Sequence, residues 1–452
     1  VATRWLKPAI DLRGLFFLTA VALVQMVIIK VGIFLAQAVN QTFPFITPDI
    51  FFFSIPFGVG AMLVIILMNH STAIIYSIFL TFLVGFFFEG EMAMALYCFA
   101  GSMAVTNYIR NCRRRSDFFR AGLYLSAVNG VTAIILTVMT GEFSFLDIFL
   151  KVVMGITGGI VAGFIVAGIT PIFETLFDFI TEIRLLELAN LNNPLFQRMV
   201  IEAPGTYHHS IIVASLVEGA AESIKANPLL AKVSAYYHDI GKLKKPHYFI
   251  ENQINGDNRH DRLSTTMSSL VIISHVKDGC DLATEMKLGS RIRDVIRQHH
   301  GNSLVGYFWE KAKKEGELTN SSVSESDFRY PGPKPQTREA GLVLLGDVIE
   351  ASSRALKNPT PARINNLVRE RFEKIFLDGQ LDECEITLRD LNIIAESFIK
   401  ILNGIFHHRV DYYPEPVHRE AASGKKENNG NPDRKQAEKS EAGPASHPEI
   451  PR

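Results

Sequence analysis

Charged residues are distributed unevenly along this 452-residue sequence, and that distribution constrains the fold more than any other feature. Residues 15–179 form long apolar runs with few charges, whereas the chain from about residue 181 onward carries charges throughout. A membrane-spanning helix requires about 20 predominantly apolar residues. Six runs meet this requirement, at residues 15–36, 49–69, 71–89, 91–109, 118–140 and 148–172. The sequence therefore predicts a polytopic helical membrane bundle followed by a soluble domain.

The Lys and Arg residues beside these runs predict the orientation of the bundle. Basic residues precede the first run, occupy the segment 110–115 after the fourth run and follow the sixth run at Arg184. The loops on the opposite side, at residues 41–48, 90–91 and 141–142, contain no Lys or Arg. An even number of spans with both ends inside accounts for this pattern. The soluble domain is therefore expected in the cytoplasm.

The overall charge argues against a DNA or RNA polymer as the partner. The chain has 46 basic and 46 acidic residues, whereas a surface that tracks phosphates normally requires a basic excess. Its 4 cysteines are widely spaced and form no CxxC pair, so neither a disulfide framework nor a zinc ribbon is indicated. A GxxxG pair at Gly159 and Gly163 predicts close packing between two helices in the last apolar run.

Histidines are concentrated in the soluble domain, where segments with helical spacing of apolar residues carry them beside aspartates. Buried imidazoles and carboxylates on apolar helix faces are costly unless they share a partner, and a pair of metal ions would satisfy the whole set. Because the set contains no thiolate, it favours iron or manganese over structural zinc. The candidate ligands are His209, His238, Asp239, His275, His299, His300 and Asp347.

Other histidines in this region are interpreted differently. His208 points about 100° away from His209 on the same helix, so it is left out of the ligand set. A second His-Asp dipeptide, His260-Asp261, lies among residues that favour loops and is interpreted as polar surface. The dipeptide alone is therefore weak evidence for a metal site.

The order His, His-Asp, His, His-His, Asp resembles that of the HD superfamily of metal-dependent phosphohydrolases. Four adjoining segments are more specific and look like the seven-transmembrane HD proteins of the PgpH type. They are EAPGTYHHS at 202–210, KPHYFIENQ at 245–253, HVKDG at 275–279 and FRYPGPKP at 328–335. The resemblance runs from about residue 10 to residue 413.

This resemblance implies a membrane-anchored, metal-dependent phosphodiesterase of the bacterial cytoplasmic membrane that hydrolyses cyclic di-AMP to pApA and so controls a second messenger. It also implies one further span and an extracytoplasmic sensory domain before residue 15. The chain is accordingly interpreted as a family member truncated at its N-terminus. A homodimer is compatible with such a protein.

The resemblance also assigns roles to individual positions. One metal ion is expected on His209, His238, Asp239 and Asp347, and Asp239 is expected to bridge to a second ion on His275, His299 and His300. Lys242, three residues after Asp239, is expected to bring its ammonium to the scissile phosphate. Asp239 and Lys242 are therefore the catalytic candidates. The candidate substrate contacts are Tyr248, Phe249, Asn252, Gln253 and Arg329.

Several other functions stay open at this stage. A cyclic di-GMP phosphodiesterase of the HD-GYP type is one alternative, although residues 298–308 lack the Gly-Tyr-Pro signature. Hydrolysis of guanosine tetraphosphate is another, and a nucleotide-binding HD receptor without turnover is a third. A transporter is disfavoured because the apolar runs show no paired broken helices with a buried charged site.

The predicted organisation is all-α throughout its ordered part. It consists of an N-terminal segment at 1–14, the bundle at 15–179, a connecting helix and linker at 180–203, the HD domain at 204–413 and a disordered tail at 414–452. Residues 190–194 are expected to break the connecting helix. Residues 385–388 look like a strand, and three prolines exclude regular helix from 329–335.

Overall fold

The computed structural model describes residues 12–109, 112–141, 144–253, 258–319 and 323–406. Within these ranges the chain is helical and contains no β-strand; a single isolated bridge joins Leu304 to Arg329. The predicted all-α class is therefore confirmed. The strand expected at 385–388 is wrong, because residues 385–387 lack regular structure and Leu388 begins a helix. Most of the predicted segment 1–14 and the whole tail 414–452 lie outside the described residues.

The membrane part contains helices α1 to α7 in the described ranges. Their bounds are Leu12–Thr42, Pro48–Phe52, Gly58–Leu67, His70–Phe87, Met92–Tyr108, Ser116–Met139 and Phe145–Leu176. By length and composition, four of them, α1, α4, α6 and α7, can cross a membrane. The number of six spans stays a prediction, but the second predicted run is not one continuous helix. The second run is divided into α2 and α3 around Pro56, whose ring and missing N–H oppose helix continuation.

The break between α2 and α3 exposes backbone groups that need partners inside the bundle. Gln25 on α1 is buried, and its side-chain amide donates to the Pro56 carbonyl at 3.4 Å and accepts from the Gly60 amide at 3.0 Å. The Tyr97 hydroxyl donates to the Phe53 carbonyl at 2.8 Å. Non-helical backbone at membrane depth is tolerated when protein groups satisfy it in this way.

A buried charge lies close to this break. The Lys151 ammonium is 2.8 Å from the Asp147 carboxylate and 3.6 Å from that of Asp49, and its side chain is 8% exposed. The expectation concerned a pair of broken helices with a buried charged site; within the described residues one run is divided, between α2 and α3, and a buried charge lies beside that division. The two carboxylates compensate the ammonium, which lowers the cost of its burial.

The GxxxG pair of α7 packs against α6, as the sequence predicts. A Cβ atom at Gly159 would lie 2.4 Å from the Ser126 amide nitrogen, and one at Gly163 would lie 3.0 Å from the Phe118 carbonyl. Only glycine leaves room for the two backbones at this separation. These two positions therefore set the distance between α6 and α7.

The soluble part contains helices α8 to α17 in the described ranges. Their bounds are Glu182–Leu188, Pro194–Glu202, Pro204–Ser223, Pro228–Tyr237, Thr265–Glu285, Ser290–Gln298, Gly306–Thr319, Arg338–Arg354, Pro361–Leu377 and Leu388–Ile405. Short 3₁₀ helices occupy Ile240–Lys244, Pro246–Tyr248, Ile250–Asn252, Arg259–Arg262 and Glu325–Phe328. The break predicted at 190–194 separates α8 from α9, and residues 329–335 are non-helical as expected.

The core of the soluble part brings α10, α11 and α15 together. Its fully buried side chains include Val217 on α10 and Leu345 on α15. A Cβ atom at Gly346 would lie 2.9 Å from the Val217 side chain, so glycine allows α10 and α15 to approach closely. This approach places the inward faces of the two helices, which carry His209 and Asp347, opposite each other.

Candidate metal centre

Three helices bring together a first group of candidate ligands, His209, His238 and Asp347. His209 lies on α10, His238 follows the last residue of α11, and Asp347 lies on α15. The Nε2 atom of His209 is 3.1 Å from Oδ1 of Asp347 and 3.3 Å from Nε2 of His238. All three residues are buried, and their ligand atoms lie within 4.8 Å of one another. This spacing suits one metal ion.

A second group consists of His275, His299 and His300. His275 lies on α12, and the other two follow α13 directly. The Nε2 atoms of His275 and His299 are 3.3 Å apart, and one ligand atom from each of the three residues falls within 4.8 Å of the others. The His300 ring stacks on Tyr330 with a centroid distance of 4.2 Å, which fixes its orientation.

Asp239 lies between the two groups and turns one carboxylate oxygen toward each. Its Oδ2 is 3.3 Å from Nε2 of His238 and 3.7 Å from Nε2 of His209. Its Oδ1 is 3.4 Å from Nε2 of His275 and 3.7 Å from Nε2 of His299. Asp239 is 1% exposed, and neither oxygen has a well-formed hydrogen bond within the described part of the chain. Such a buried carboxylate requires compensating charge, and the Lys242 ammonium, 2.7 Å from Oδ2, supplies part of it.

A close approach of the backbone holds Asp239 beside α12. A Cβ atom at Gly241 would lie only 1.9 Å from the His275 carbonyl oxygen, so any larger residue would push the 3₁₀ helix Ile240–Lys244 away. The glycine two positions after Asp239 is thus what permits its carboxylate to reach the second group.

Four of the imidazoles are oriented by acceptors behind them. In each, Nδ1 lies against a carbonyl or carboxylate oxygen, so Nδ1 carries the proton and Nε2 faces the centre. Fixing the ring in this way selects the tautomer that can bind a metal ion. The pairs are His238 with the Ala235 carbonyl, His275 with Ile272, His299 with Ile296, and His209 with the Glu350 carboxylate.

The second group is held in the neutral state that metal ligation requires. Burial lowers the pKa of His275, takes the pKa of His299 well below its ordinary value and takes that of His300 to about 3. Each of these rings therefore offers a free lone pair at neutral pH.

The first group carries compensated charges in the absence of a metal ion. Burial disfavours the charged imidazole of His209, but the hydrogen bonds that it donates to the carboxylates of Asp347 and Glu350 outweigh this effect and raise its pKa to about 10. Despite its burial, Asp347 has a pKa below its ordinary value because His209 donates to it. A metal ion bound here would take the place of the proton on Nε2 of His209, since the metal ion and the proton compete for the same lone pair.

Lys242 lies beside Asp239, where the sequence puts it, but its ammonium contacts two carboxylates. Its Nζ is 2.7 Å from Oδ2 of Asp239 and 2.8 Å from Oε1 of Glu251. Burial alone would lower the pKa of Lys242, and the two carboxylates outweigh it and raise the pKa above the ordinary value. The residue is therefore a fixed positive charge behind Asp239, and its role at the phosphate stays a prediction.

Four of the five candidate substrate contacts belong to a segment packed on the start of α10. Phe249 and Asn252 are buried, whereas Tyr248 and Gln253 are half-buried. Asn252 accepts from the Thr206 amide at 3.1 Å and donates to the Thr206 hydroxyl at 2.8 Å. These bonds tie the segment to the helix that carries the first candidate ligand. Asn252 therefore has a structural partner already.

The interpretation of His260 as polar surface is wrong, although Asp261 is exposed as expected. His260 is 6% exposed, donates from Nε2 to the Tyr248 carbonyl at 2.8 Å and packs on the Phe308 ring. A short 3₁₀ helix turns the His260 side chain inward. The polar, loop-forming residues around it in the sequence do not predict this burial. His208 is exposed, in agreement with its exclusion from the ligand set.

A cavity of about 540 Å³ opens at His299 and His300 and extends to α16. Of the candidate substrate contacts, Arg329 lines it; Tyr248, Phe249, Asn252 and Gln253 do not. Two basic residues of α16, Arg371 and Lys374, line the same cavity and were not singled out in the sequence. In the sequence, only their spacing of three residues on an amphipathic helix could have indicated that they line a cavity. That spacing is common on solvated helix faces.

Glu350 is a further residue that the sequence analysis missed. Its carboxylate contacts Nδ1 of His209, it is 1% exposed, and Arg354 donates to its other oxygen at 2.6 Å. Its position one turn after Asp347, on the same helix face, could have indicated in the sequence that it lies near the candidate ligands.

The comparisons with known proteins agree with this division into two parts. Residues 3–181 match the family described as 7TM receptor with intracellular HD hydrolase, and residues 206–352 match the family described as HD domain. These two matches cover the membrane part and the part that contains all seven candidate ligands.

Two curated relatives are similar over most of the chain. The chain is 40% identical over 365 residues to the cyclic-di-AMP phosphodiesterase PgpH of Bacillus subtilis (strain 168), covering 79% of this chain and 51% of the relative. It is 38% identical over 364 residues to the protein of the same name from Listeria monocytogenes serotype 1/2a (strain 10403S), covering 80% and 50%. The chain thus spans about half the length of the curated relatives it matches.

Two solved structures are similar to the soluble part. Both are described as crystal structures of the L. monocytogenes phosphodiesterase PgpH HD domain, one of them in complex with cyclic-di-AMP. They are 45% and 46% identical in sequence, cover 48% of this chain and 100% of their own, and have TM-scores of 0.45 and 0.46.

Proposed function

We infer that the membrane part of this chain belongs to the family of 7TM receptors with an intracellular HD hydrolase, and its soluble part to the HD domain family. From this premise we propose that the chain is a multi-pass membrane phosphodiesterase that hydrolyses cyclic di-AMP to pApA. The base preference rests on the two curated relatives, whose names specify cyclic di-AMP. The phosphodiesterase chemistry rests on the ligand cluster.

The single observation that carries the proposal is the position of Asp239. One of its oxygens faces His209 and His238, the other faces His275 and His299, and its carboxylate is buried. This arrangement fits a carboxylate that bridges two ions. The HD domain is a divalent-metal-binding domain, and the two groups of nitrogen and oxygen atoms fit two such ions.

We further propose manganese or iron as the metal. The donor set contains imidazoles and carboxylates and no thiolate, a composition that suits these ions better than structural zinc. The proposed first site comprises His209, His238, Asp239 and Asp347, and the proposed second site comprises Asp239, His275, His299 and His300. Two divalent ions held together supply neutralisation of phosphate charge and a water of lowered pKa.

The reaction adds one water across one of the two phosphodiester linkages. The water oxygen forms a new bond to phosphorus, the bond from phosphorus to the 3′ oxygen breaks, and that oxygen takes up a proton. The product is linear and keeps a 5′ phosphate. No covalent intermediate with a protein side chain is needed, and the cluster contains no serine or cysteine that would form one.

The chain's own residues have two tasks in this scheme. Lys242 keeps the Asp239 carboxylate ionised, since its ammonium lies 2.7 Å from Oδ2. The backbone carbonyls behind His238, His275 and His299 hold Nε2 of each ring toward the centre, so the rings need no reorganisation when an ion binds.

We also propose that the soluble part lies in the cytoplasm. The basic residues Arg113, Arg114 and Arg115 lie between α5 and α6, on the same side of the bundle as the link from α7 to α8, since Arg113 and Arg115 contact Glu182 and Glu187. Positively charged short loops favour the cytoplasmic side. Labelling a single cysteine introduced at residue 90 and one at residue 184 with a membrane-impermeant thiol reagent tests this, in a background without the natural cysteines.

The function is tested by turnover of the purified full chain in detergent. Cyclic di-AMP, cyclic di-GMP and guanosine tetraphosphate are supplied in turn with manganese, the products are separated by chromatography, and bound metal is quantified. Preferential conversion of cyclic di-AMP to pApA is expected. Equal or faster cleavage of cyclic di-GMP would make the adenine assignment wrong, and tight binding of cyclic di-AMP without cleavage would favour a receptor.

A further inference from the structure

The cavity beside the second group of candidate ligands continues away from them along α16. It begins at His299 and His300 and reaches Arg371 and Lys374 on that helix. Its volume of about 540 Å³ falls within the usual range for small-molecule sites, roughly 300–1,000 Å³. A molecule bound at the metal centre would therefore have room to extend toward these two basic residues.

Both basic residues lack a compensating charge. Neither Arg371 nor Lys374 has an ion-pair partner in the described ranges, and Nε of Arg371 is buried without a hydrogen-bond partner there. A buried donor without a partner is costly, so a group that accepts a hydrogen bond from it is expected to bind. An anion would satisfy the donor and both positive charges.

The third basic residue of the cavity is already engaged. Arg329 donates to the Glu325 carboxylate at 2.7 Å and to the Asn302 carbonyl at 2.9 Å, and it lies 3.8 Å from the Asp378 carboxylate. An incoming anion would have to break these contacts before Arg329 could bind it. The free positive charge of the cavity is therefore on α16.

The rest of the lining combines an apolar wall, which includes Leu304, Leu344, Val348 and Ile375, with the polar side chains of Ser303, Gln380 and Asp378, the last of which faces Arg329. The apolar side chains cannot bind a phosphate, but they can contact the face of a purine ring. The cavity thus combines an anion-binding end, an apolar wall and the candidate metal centre. A cyclic dinucleotide has matching parts, because it carries two phosphates and two bases.

From this arrangement we propose that Arg371 and Lys374 bind the second phosphate of the cyclic dinucleotide, the one that is not cleaved. This inference rests on the proposed function. It assigns substrate recognition to α16, whereas cleavage depends on the metal centre. It also gives a physical reason for preferring a dinucleotide over a smaller phosphodiester, since a substrate with one phosphate leaves both cations unpaired.

The test compares two substrates in the 452-residue chain. Arg371→Ala and Lys374→Ala should each raise KM for cyclic di-AMP by roughly tenfold, the loss expected for one charged hydrogen bond. Hydrolysis of bis(p-nitrophenyl) phosphate, which has a single phosphate, should be unchanged. Arg369→Ala is the matched control, because Arg369 lies on the same helix but donates to Glu396 at 2.6 Å and does not line the cavity.

Three outcomes would overturn the inference: an unchanged KM for cyclic di-AMP, an equal loss with both substrates, or an equal effect of Arg369→Ala. Failure of the proposed function is a different result, in which the unmodified chain does not cleave cyclic di-AMP at all. In that case equilibrium binding of cyclic di-AMP decides the inference. Weaker binding in Arg371→Ala and Lys374→Ala supports it, and unchanged or absent binding refutes it.

Discussion

Oδ1 of Asp178, two residues beyond the last membrane helix, accepts a hydrogen bond of 3.0 Å from the backbone amide of Ser290, the first residue of α13. The residue before Ser290 is Gly289, which has no side chain to cap the helix, so a distant carboxylate takes that place. Helix α13 ends at Gln298, directly before His299 and His300. One short helix thus connects the end of the membrane bundle to two candidate metal ligands.

Removing this contact should loosen α13. Asp178 has a φ of 50°, so Asp178→Gly keeps the backbone conformation and removes the acceptor, together with the 3.7 Å ion pair between the carboxylate and Arg13. Loss of a helix cap costs about 0.5–2 kcal/mol, and the amides at 290–293 should exchange with deuterium correspondingly faster. Asp178→Asn keeps an acceptor and is the control. Identical exchange in the glycine variant and the unmodified chain would contradict the capping role.

Asp239→Ala should lower the turnover rate by at least about a hundredfold, because it removes the carboxylate proposed to bridge both ions. Bound manganese should fall as well, as measured by elemental analysis of the purified protein. The control is Asp261→Ala, since Asp261 belongs to the other His-Asp dipeptide and is exposed. Turnover like that of the unmodified chain in Asp239→Ala would refute the dinuclear proposal.

Glu350 should act through His209, as a positioning residue. Glu350→Gln weakens the acceptor that orients the imidazole, and outer partners of this kind change metal affinity by about 10–100-fold. Titration of the metal-free protein with manganese measures this directly, independent of turnover. Glu339→Gln on the same helix is the control, because its carboxylate accepts from the Asn227 amide instead. Equal manganese affinity in both variants would exclude the positioning role.

Lys242→Met should destabilise the metal-free protein. The ammonium lies between the carboxylates of Asp239 and Glu251, and removing one partner of a buried ion pair typically costs about 3–5 kcal/mol. Adding Glu251→Gln removes one of the two uncompensated charges and should restore part of the stability. Denaturant unfolding with a chelator present measures both variants. If Lys242→Met unfolds at the same denaturant concentration as the unmodified chain, the stabilising role of the ammonium is excluded.

The packing of α6 on α7 can be tested with two glycines of one helix. Gly159→Ala would place a methyl group 2.4 Å from the Ser126 amide, and overpacking of this kind costs about 1–3 kcal/mol. Gly168→Ala should be neutral or slightly stabilising, because nothing lies within 4 Å of that position. Thermal unfolding in detergent should separate the two variants. Equal midpoints would contradict the contact.

The amino-acid sequence by itself determined the helical class, the division into an apolar and a charged part, and the seven ligand candidates. These features depend on local patterns: the 3.6-residue period of a helix, the length of an apolar run and the residue types that bind metal ions. The GxxxG pair at Gly159 and Gly163 belongs with them. Both residues are glycines, which have no side chain, so close approach to a neighbouring helix follows from the residue type alone.

Only the tertiary structure decided how these residues pair. The two-sided position of Asp239, the burial of His260 and the unpaired state of Arg371 all depend on segments far away in sequence. Asn252 contacts Thr206 across 46 positions, and Asp178 contacts Ser290 across 112. No local period encodes such contacts, because burial and charge compensation are properties of the packed helices. The same reason explains the division of α2 from α3, where Gln25 and Tyr97 supply partners that an uninterrupted apolar run does not predict.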